Sequence, residues 1–242
     1  MTHEIQHLMQ QLKLPGMRAA YDGIVSSKNM QSISNDELLN LLLQAEWDER
    51  ENLKINRRLQ NAKFRMRASM EEIDFVTPRG LNKTQLLRFT DGSFVKNHEN
   101  ILVTGKTGVG KSYISSALGH LACQLGYKVN YFNAQKIFMM LRMSRADESY
   151  IRHIKRIEKQ DLIIIDDFGI QPLDEMSRMM LLEIIEDRHQ KSSTIIASQL
   201  PVDKWYDIIG ESTVADSILD RLVHTSHRID LSGDSMRKKK KE

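Results

Sequence analysis

What the chain lacks narrows its function before any motif is read. It has one cysteine, Cys123, so no internal disulfide can form. With no second Cys, that thiol also makes a poor zinc site. Cys123 lies in an apolar helical run and is expected to be inert core packing. No apolar run approaches the roughly 18 residues of a membrane span. The opening MTHEIQHLMQ has neither the basic flank nor the apolar stretch of a signal peptide. The expectation is a cytoplasmic protein with no membrane partner. Internal repeats are absent, and the one low-complexity stretch is the terminal lysine run.

What is present is the composition of a globular protein able to bury a core: 242 residues, 40% hydrophobic and 28% charged. That length predicts one α/β domain of ordinary size and a smaller unit, since domains usually hold roughly 100–150 residues. The formal charge of +3 is misleading until mapped. Residues Arg237 to Lys241 carry five positive charges and Glu242 one negative, so the rest of the chain is at −1. Such a tail is either a solvated end or a non-specific attraction for nucleic acid.

From Ile5 to about Met70 the apolar spacing reads as helix, with a break at Pro15-Gly16 and a second run beginning near Asp36. Ser34 and Glu37 have the spacing of a capping box. The second run turns basic at Arg50, Lys54, Arg57, Arg58, Lys63, Arg65 and Arg67, opposed only by Glu51. We read Arg57, Arg58, Lys63, Arg65 and Arg67 as a phosphate-contacting arm, against the alternative of a solvated helix face. A linker, Glu71 to Gly80, follows, and then strands and helices alternate. Strands are expected at Ile101–Thr104, Lys128–Phe132, Leu162–Asp166, Thr194–Ser198 and His227–Leu231, with helices over Lys111–Gln124 and Asp174–His189. Short apolar strands separated by helices imply a largely parallel sheet covered on both faces. The expected division is 1–70 as a helical DNA- or partner-binding domain, 71–236 as the α/β domain and 237–242 as a basic tail.

Gly105-Lys106-Thr107-Gly108-Val109-Gly110-Lys111-Ser112 fits G-x-x-x-x-G-K-[ST] in full, between an apolar strand and a helix. Its glycines allow backbone amides to turn inward on a β-phosphate at the helix's positive end. Lys111 is expected to bridge the β- and γ-phosphates of ATP, and Ser112 to ligate Mg2+. Residues 105–112 and the following Tyr113 form the expected nucleotide site. The strand Leu162-Ile163-Ile164-Ile165 ends in Asp166-Asp167, and ligands of parallel sheets gather at such carboxyl ends. Asp166 is the expected magnesium partner through water, and Asp167 the group that orients or deprotonates the attacking water. Alternatively, Asp167 merely caps the turn Phe168-Gly169. Many ATPases place the longer glutamate there, so slow hydrolysis is expected.

Several further stretches carry a family resemblance: Glu99-Asn100-Ile101-Leu102, Leu125-Gly126-Tyr127-Lys128-Val129 and Asp161 to Gly169. They continue with Ser193 to Pro201, Asp220-Arg221-Leu222-Val223-His224 and Ser232 to Arg237. Together with the phosphate loop they resemble the IstB/DnaC branch of the AAA+ ATPases, IstB the more closely, over roughly residues 70–237. The resemblance implies an ASCE-type P-loop NTPase with a parallel five-stranded sheet, preceded by a small all-α domain and without the helical lid of larger AAA+ machines. It implies ATP sites shared between neighbours in a helical or ring-like oligomer. It also implies that Gln199 is the γ-phosphate sensor, with Ser198 as rival, and that Arg221 is an arginine finger acting in trans. From the residues alone, Asp220-Arg221 could instead be a surface ion pair on a helix. Arg237 is a candidate second sensor. The family places a DNA-contacting helical insertion between the second and third strands, where Arg142, Arg145, Arg152, Lys155 and Arg156 are the candidates; the methionines and leucines there are expected to be core.

The function so implied is an ATP- and Mg2+-dependent, DNA-binding regulator of transposition. It would oligomerise on duplex DNA with little sequence preference and recruit or activate a transposase. The rivals are a DnaC-like replicative helicase loader, a P-loop kinase acting on a small acceptor, and a nucleotide-binding adaptor without useful hydrolysis.

Overall fold

Three helices open the chain: α1 (Thr2–Gln11), α2 (Pro15–Ser26) and the long α3 (Asn35–Ala62). The computed structural model describes residues 2–27, 33–224 and 226–236; the basic tail and Arg237 lie outside the described residues. Two compact units divide within α3, Met1–Arg57 and Arg58–Glu242.

In the first unit Met9, Tyr21 and Leu42 form a small core. Pro15-Gly16 does not interrupt a helix here but starts one. Pro15 stands at the first helical position, where its missing N–H costs nothing, and the break lies at Leu12–Leu14, with Lys13 at φ 56°. Glu46 of α3 caps the start of α2, accepting the Gly16 N–H at 2.9 Å and the Met17 N–H at 3.1 Å. A side chain at Gly16 would meet the Ala45 carbonyl oxygen at 2.4 Å, so glycine allows the two helices to approach. The capping box forms reciprocally. Ser34 N–H donates to Glu37 Oε2 at 2.9 Å, and Glu37 N–H to Ser34 Oγ at 3.3 Å.

The expected continuation of helix to Met70 is corrected: α3 ends at Ala62. Lys63 takes φ 56°, and residues 62–68 then alternate between buried or half-buried and exposed, a strand-like period of two. Phe64 draws this run inward, its ring centroid 4.2 Å from that of His120.

The second unit continues with α4 (Lys83–Leu87), α5 (Ser93–Lys96), β1 (Asn100–Gly105), α6 (Lys111–Gln124), β2 (Val129–Asn133), α7 (Ala134–Ala146) and α8 (Tyr150–Glu158). It is completed by β3 (Leu162–Phe168), α9 (Glu175–Arg188), β4 (Ser193–Ser198), α10 (Trp205–Ile209), α11 (Ser212–Val223) and β5 (Ser226–Leu231). All five strands are parallel, in the order β2-β3-β4-β1-β5. Their apolar residues alternate between two cores. Ile101, Val103, Ile164 and Ile195 face α6 with Ile114 and Leu118, while Leu102, Ile163, Ile165 and Ile196 face the side holding Leu181, Ile184 and Ile218. Being covered on both sides explains the unbroken isoleucine run of β3. Each such side chain stabilises the fold by roughly 1.5–3 kcal/mol. The expected helix Asp174–His189 is one residue shorter at each end, because Asp174 is the cap, its side chain accepting the Ser177 N–H at 2.9 Å. Among the described residues no helix follows β5, and none is long and apolar enough to cross a membrane.

Candidate nucleotide site

The strand order places β4 between β1 and β3, so the loop after β1 and the carboxylates ending β3 share one rim of the sheet across a single intervening strand. Gly105 leaves β1 at φ 141°, and Gly110 enters α6 at φ 102°. Both positions also exclude a side chain by close approach: a Cβ would meet the Leu231 carbonyl oxygen at 2.2 Å and Arg79 Nη1 at 2.3 Å, respectively. The Lys111 ammonium folds along the loop, donating to the Gly105 carbonyl at 2.5 Å and the Lys106 carbonyl at 2.8 Å. This is a phosphate cradle at the N-terminus of a 14-residue helix, where free amides and the helix dipole favour an anion. Ser112 follows, half-buried, at the start of α6.

The β3 carboxylates occupy an irregularity in the ladder. Ile165 pairs with Ile196 but Phe168 with Ser198, so the two aspartates bulge out of register. Asp166 is fully buried and both its oxygens are engaged: Oδ1 accepts the Asp167 N–H at 2.9 Å, and Oδ2 accepts the Tyr131 hydroxyl. Burial first, and then that bond, push the Tyr131 phenol far above its usual range, so it remains a neutral donor. Asp167 has φ 59°, a left-handed conformation uncommon for a non-glycine residue. It turns Oδ2 to Asn133 Nδ2 at 3.0 Å and Arg65 Nη1 at 3.3 Å. The carboxylate therefore does not cap the Phe168-Gly169 turn.

Gln199, just past β4, reaches the loop: its Oε1 accepts the Thr107 hydroxyl at 2.8 Å. Its rival Ser198 is fully buried and turned to the backbone, donating to the Phe168 carbonyl at 2.9 Å. Tyr113 points towards the linker, donating to Glu72 Oε2 at 2.9 Å and accepting the Ser69 N–H at 3.4 Å. Chiefly burial raises its pKa.

Sequence reasoning missed Arg79. Its guanidinium is buried beneath the cradle, donating to the Val109 carbonyl at 2.9 Å and the Asp74 carbonyl at 2.8 Å. Burial lowers its pKa, with the Asp74 charge acting against that. Holding the Val109 carbonyl turns the other edge of that peptide, the Gly110 N–H, away from Arg79. The Ser232–Met236 segment crosses the same loop, Met236 N–H donating to the Gly108 carbonyl at 2.9 Å. The family resemblance had marked this second segment, Ser232 to Arg237, but not its contact with the loop.

Residues 7–242 match the family model of the IstB-like ATP binding proteins. The chain belongs to this family. A Sinorhizobium fredii protein bearing the name insertion sequence ATP-binding protein y4pL is 41% identical over 238 residues, covering 98% of this chain and 97% of that relative. Among solved structures, that of DnaI is similar with a TM-score of 0.59 at 20% identity, over 73% of this chain and 93% of that one. The DnaC helicase loader follows at 0.52 and 16%, over 72% and 99%. The fold of this IstB-like protein is thus that of an AAA+ P-loop domain preceded by helices.

Arg221 of the IstB-like chain stands apart from the cradle. It lies near the end of α11, and its carbonyl accepts from Asn100 Nδ2 at 3.3 Å. Asn100 begins β1, so Arg221 is at the opposite end of the sheet from Lys111. Its guanidinium pairs with Glu186 at 3.1 Å, not with Asp220. Of the candidate DNA-contacting residues, Arg57 is exposed and Arg58 half-buried on α3, and Lys63, Arg65 and Arg67 are exposed on the run that follows. Arg142 is bound to Asp174 and Ser177 at the start of α9. Arg145 lies over the Tyr150 ring at 4.8 Å. Arg152, Lys155 and Arg156 line an open groove on α8 with Lys159. Met139 and Met143 of α7, expected as core, are well exposed.

Proposed function

We propose that this chain is an ATPase that binds duplex DNA as an oligomer and regulates transposition by recruiting or activating a transposase. The observation that carries the reading is the gathering of Lys111, Ser112, Gln199 and the Asp166-Asp167 pair on one rim, in a chain of the IstB-like family. Curated relatives bear insertion-sequence names, which favours a transposase as partner over a helicase; the likeness to DnaC is one of fold.

In this reading the loop amides and Lys111 hold the β- and γ-phosphates of ATP, and Gln199 monitors the γ-phosphate through the contact its neighbour Thr107 already makes. The residues fit a magnesium ion that arrives with the nucleotide. Among the described residues no group of three or more His, Cys, Asp or Glu could hold a metal alone. Magnesium characteristically retains waters and shares phosphate oxygens, so the Ser112 hydroxyl and, through water, the fully engaged Asp166 suffice. When bound, the ion offsets charge on the transferring phosphoryl group. Asp167 orients the attacking water and accepts its proton. Arg221 lies too far from its own cradle to serve it and is assigned to a neighbour's, which makes the oligomer a requirement of hydrolysis. Residues 1–70 form the DNA- or transposase-binding domain, 71–236 the ATPase and 237–242 a basic tail, with Arg237 as second sensor. The basic residues of α3, the run after it and α7–α8 contact phosphates without reading bases.

The test is electron microscopy and fluorescent-nucleotide binding with duplex DNA. Ordered oligomers are expected with ATP and not with ADP, and Lys111→Ala is expected to lose nucleotide binding and assembly together. A Lys111→Ala protein that assembles on DNA like the parent sinks the reading.

A further inference from the structure

Asp167 is met by a cation that no phosphate-loop pattern contains. Arg65 Nη1 stands 3.3 Å from Asp167 Oδ2, the same oxygen that accepts from Asn133 at 3.0 Å. Arg65 comes from the extended run in which Phe64, Met66 and Ala68 turn inward while Lys63, Arg65 and Arg67 are exposed. Phe64 anchors that run. It closes on Gly119 so tightly that a Cβ there would meet its ring at 2.6 Å, and its centroid is 6.3 Å from that of Tyr131, the residue bonded to Asp166. The backbone is therefore fixed against the site, while the Arg65 side chain, 53% exposed, stays open to solvent.

We propose that Arg65 is a positioning residue: it restrains Asp167 until a nucleic-acid backbone takes its guanidinium, so that DNA binding releases hydrolysis. This rests on the function proposed above and assigns its regulation. A carboxylate held through one oxygen by a guanidinium and an amide is fixed in direction, and a general base works only when it can turn to within hydrogen-bond reach of the proton it takes. The hold is weak enough to be broken, since a half-exposed ion pair contributes little. A duplex laid along Lys63, Arg65 and Arg67 offers phosphates that bind guanidinium in bidentate fashion and release counterions as they do so.

The experiment is steady-state ATP hydrolysis by the full chain, with and without duplex DNA, for the parent, Arg65→Ala and Arg65→Lys, with ATP affinity and thermal midpoint measured alongside. Arg65→Ala is expected to raise the DNA-free kcat about two- to five-fold, to leave KM for ATP and the midpoint unchanged, and to shrink DNA stimulation by the same factor. Arg65→Lys, which keeps the charge, is expected to restore part of the restraint. A merely structural role for Arg65 would lower the midpoint and would not raise kcat. Unchanged DNA-free rate and stimulation in Arg65→Ala overturn the proposal, as does a fall in kcat both with and without DNA. A parent that binds ATP and DNA yet is not stimulated overturns this inference alone, and one that binds no ATP overturns the proposed function with it.

Discussion

His120 shows how a residue beside the site, rather than in it, imposes a pH dependence on the fold. It lies on α6, its ring against Phe64, and its pKa is lowered first by burial and then by the Arg67 charge, with the Ala68 backbone bond opposing them. A histidine with a depressed folded pKa binds fewer protons folded than unfolded. Stability is therefore fully present above its ordinary pKa and falls as pH drops through that value towards the folded one. The carboxylates with lowered values, such as Asp74 and Asp174, lose their contribution only in the more acidic range below their own ordinary pKa. Thermal midpoints of the parent are thus expected to fall as pH drops below about 6.5, and those of His120→Asn to be flatter there. Equal slopes for the two proteins would remove His120 as the cause. At this same scale the sequence was legible where a residue type and a spacing imply one chemistry. Gly105 to Ser112 could be assigned because strand, glycines, lysine and hydroxyl occur in the order the mechanism requires. Arg79 could not, because an arginine in a linker carries no mark of burial, and its partner is a carbonyl, which has no sequence identity.

Elements were legible in proportion to the length and purity of their pattern. The five strands fell within one residue of their expected ends, except β3, which runs on through the bulge to Phe168. The end of α3 was misread for a physical reason. Between Ala62 and Ala68 the period changes from that of a helix to that of a strand, and alternating cations hide the change, since Lys and Arg are as common on a helix surface as on an extended one. Nor could the sequence identify the tie between α9 and the opposite rim of the sheet. Arg188 ends α9 fully buried, donating to the carbonyls of Ile157 and Gln160 at 2.9 Å each and of Ser193 at 2.6 Å. It joins α8, α9 and β4 with one side chain, and burial lowers its pKa. Removing it takes a charged donor from three carbonyls, of which that of Ile157 keeps the Gln160 N–H at 3.2 Å, and a hydrogen bond to a charged group contributes roughly 1.5–3 kcal/mol. Arg188→Ala is expected to lose on the order of 3 kcal/mol or more in urea unfolding, far more than removal of the exposed Arg142 from its ion pair. A loss below about 1 kcal/mol would show that water replaces the guanidinium there.

For the molecule as a whole, the separation of Arg221 from Lys111 matters more than any single contact. On the proposed reading, a chain holding the cradle at one end of its sheet and Arg221 at the other would be incomplete as a catalyst alone and complete when copies stack head to tail. Such a heterologous contact, repeated, generates a ring or a helix according to whether its rotation closes. The residue pattern alone left Arg221 open between a surface pair and a finger, and its bond to Glu186 does not decide, because an exposed pair of that kind breaks at little cost. A mixing experiment does decide. Asp167→Asn and Arg221→Ala are each expected to be inactive alone in DNA-stimulated hydrolysis, both retaining ATP binding and assembly. Mixed in equal amounts, they assemble interfaces in which an intact Asp167 meets an intact arginine by chance about once in four, so roughly a quarter of parental activity should return. If both residues had to act within one chain, the mixture would stay as inactive as its components, and Arg221 would have to be counted as an ordinary partner of Glu186.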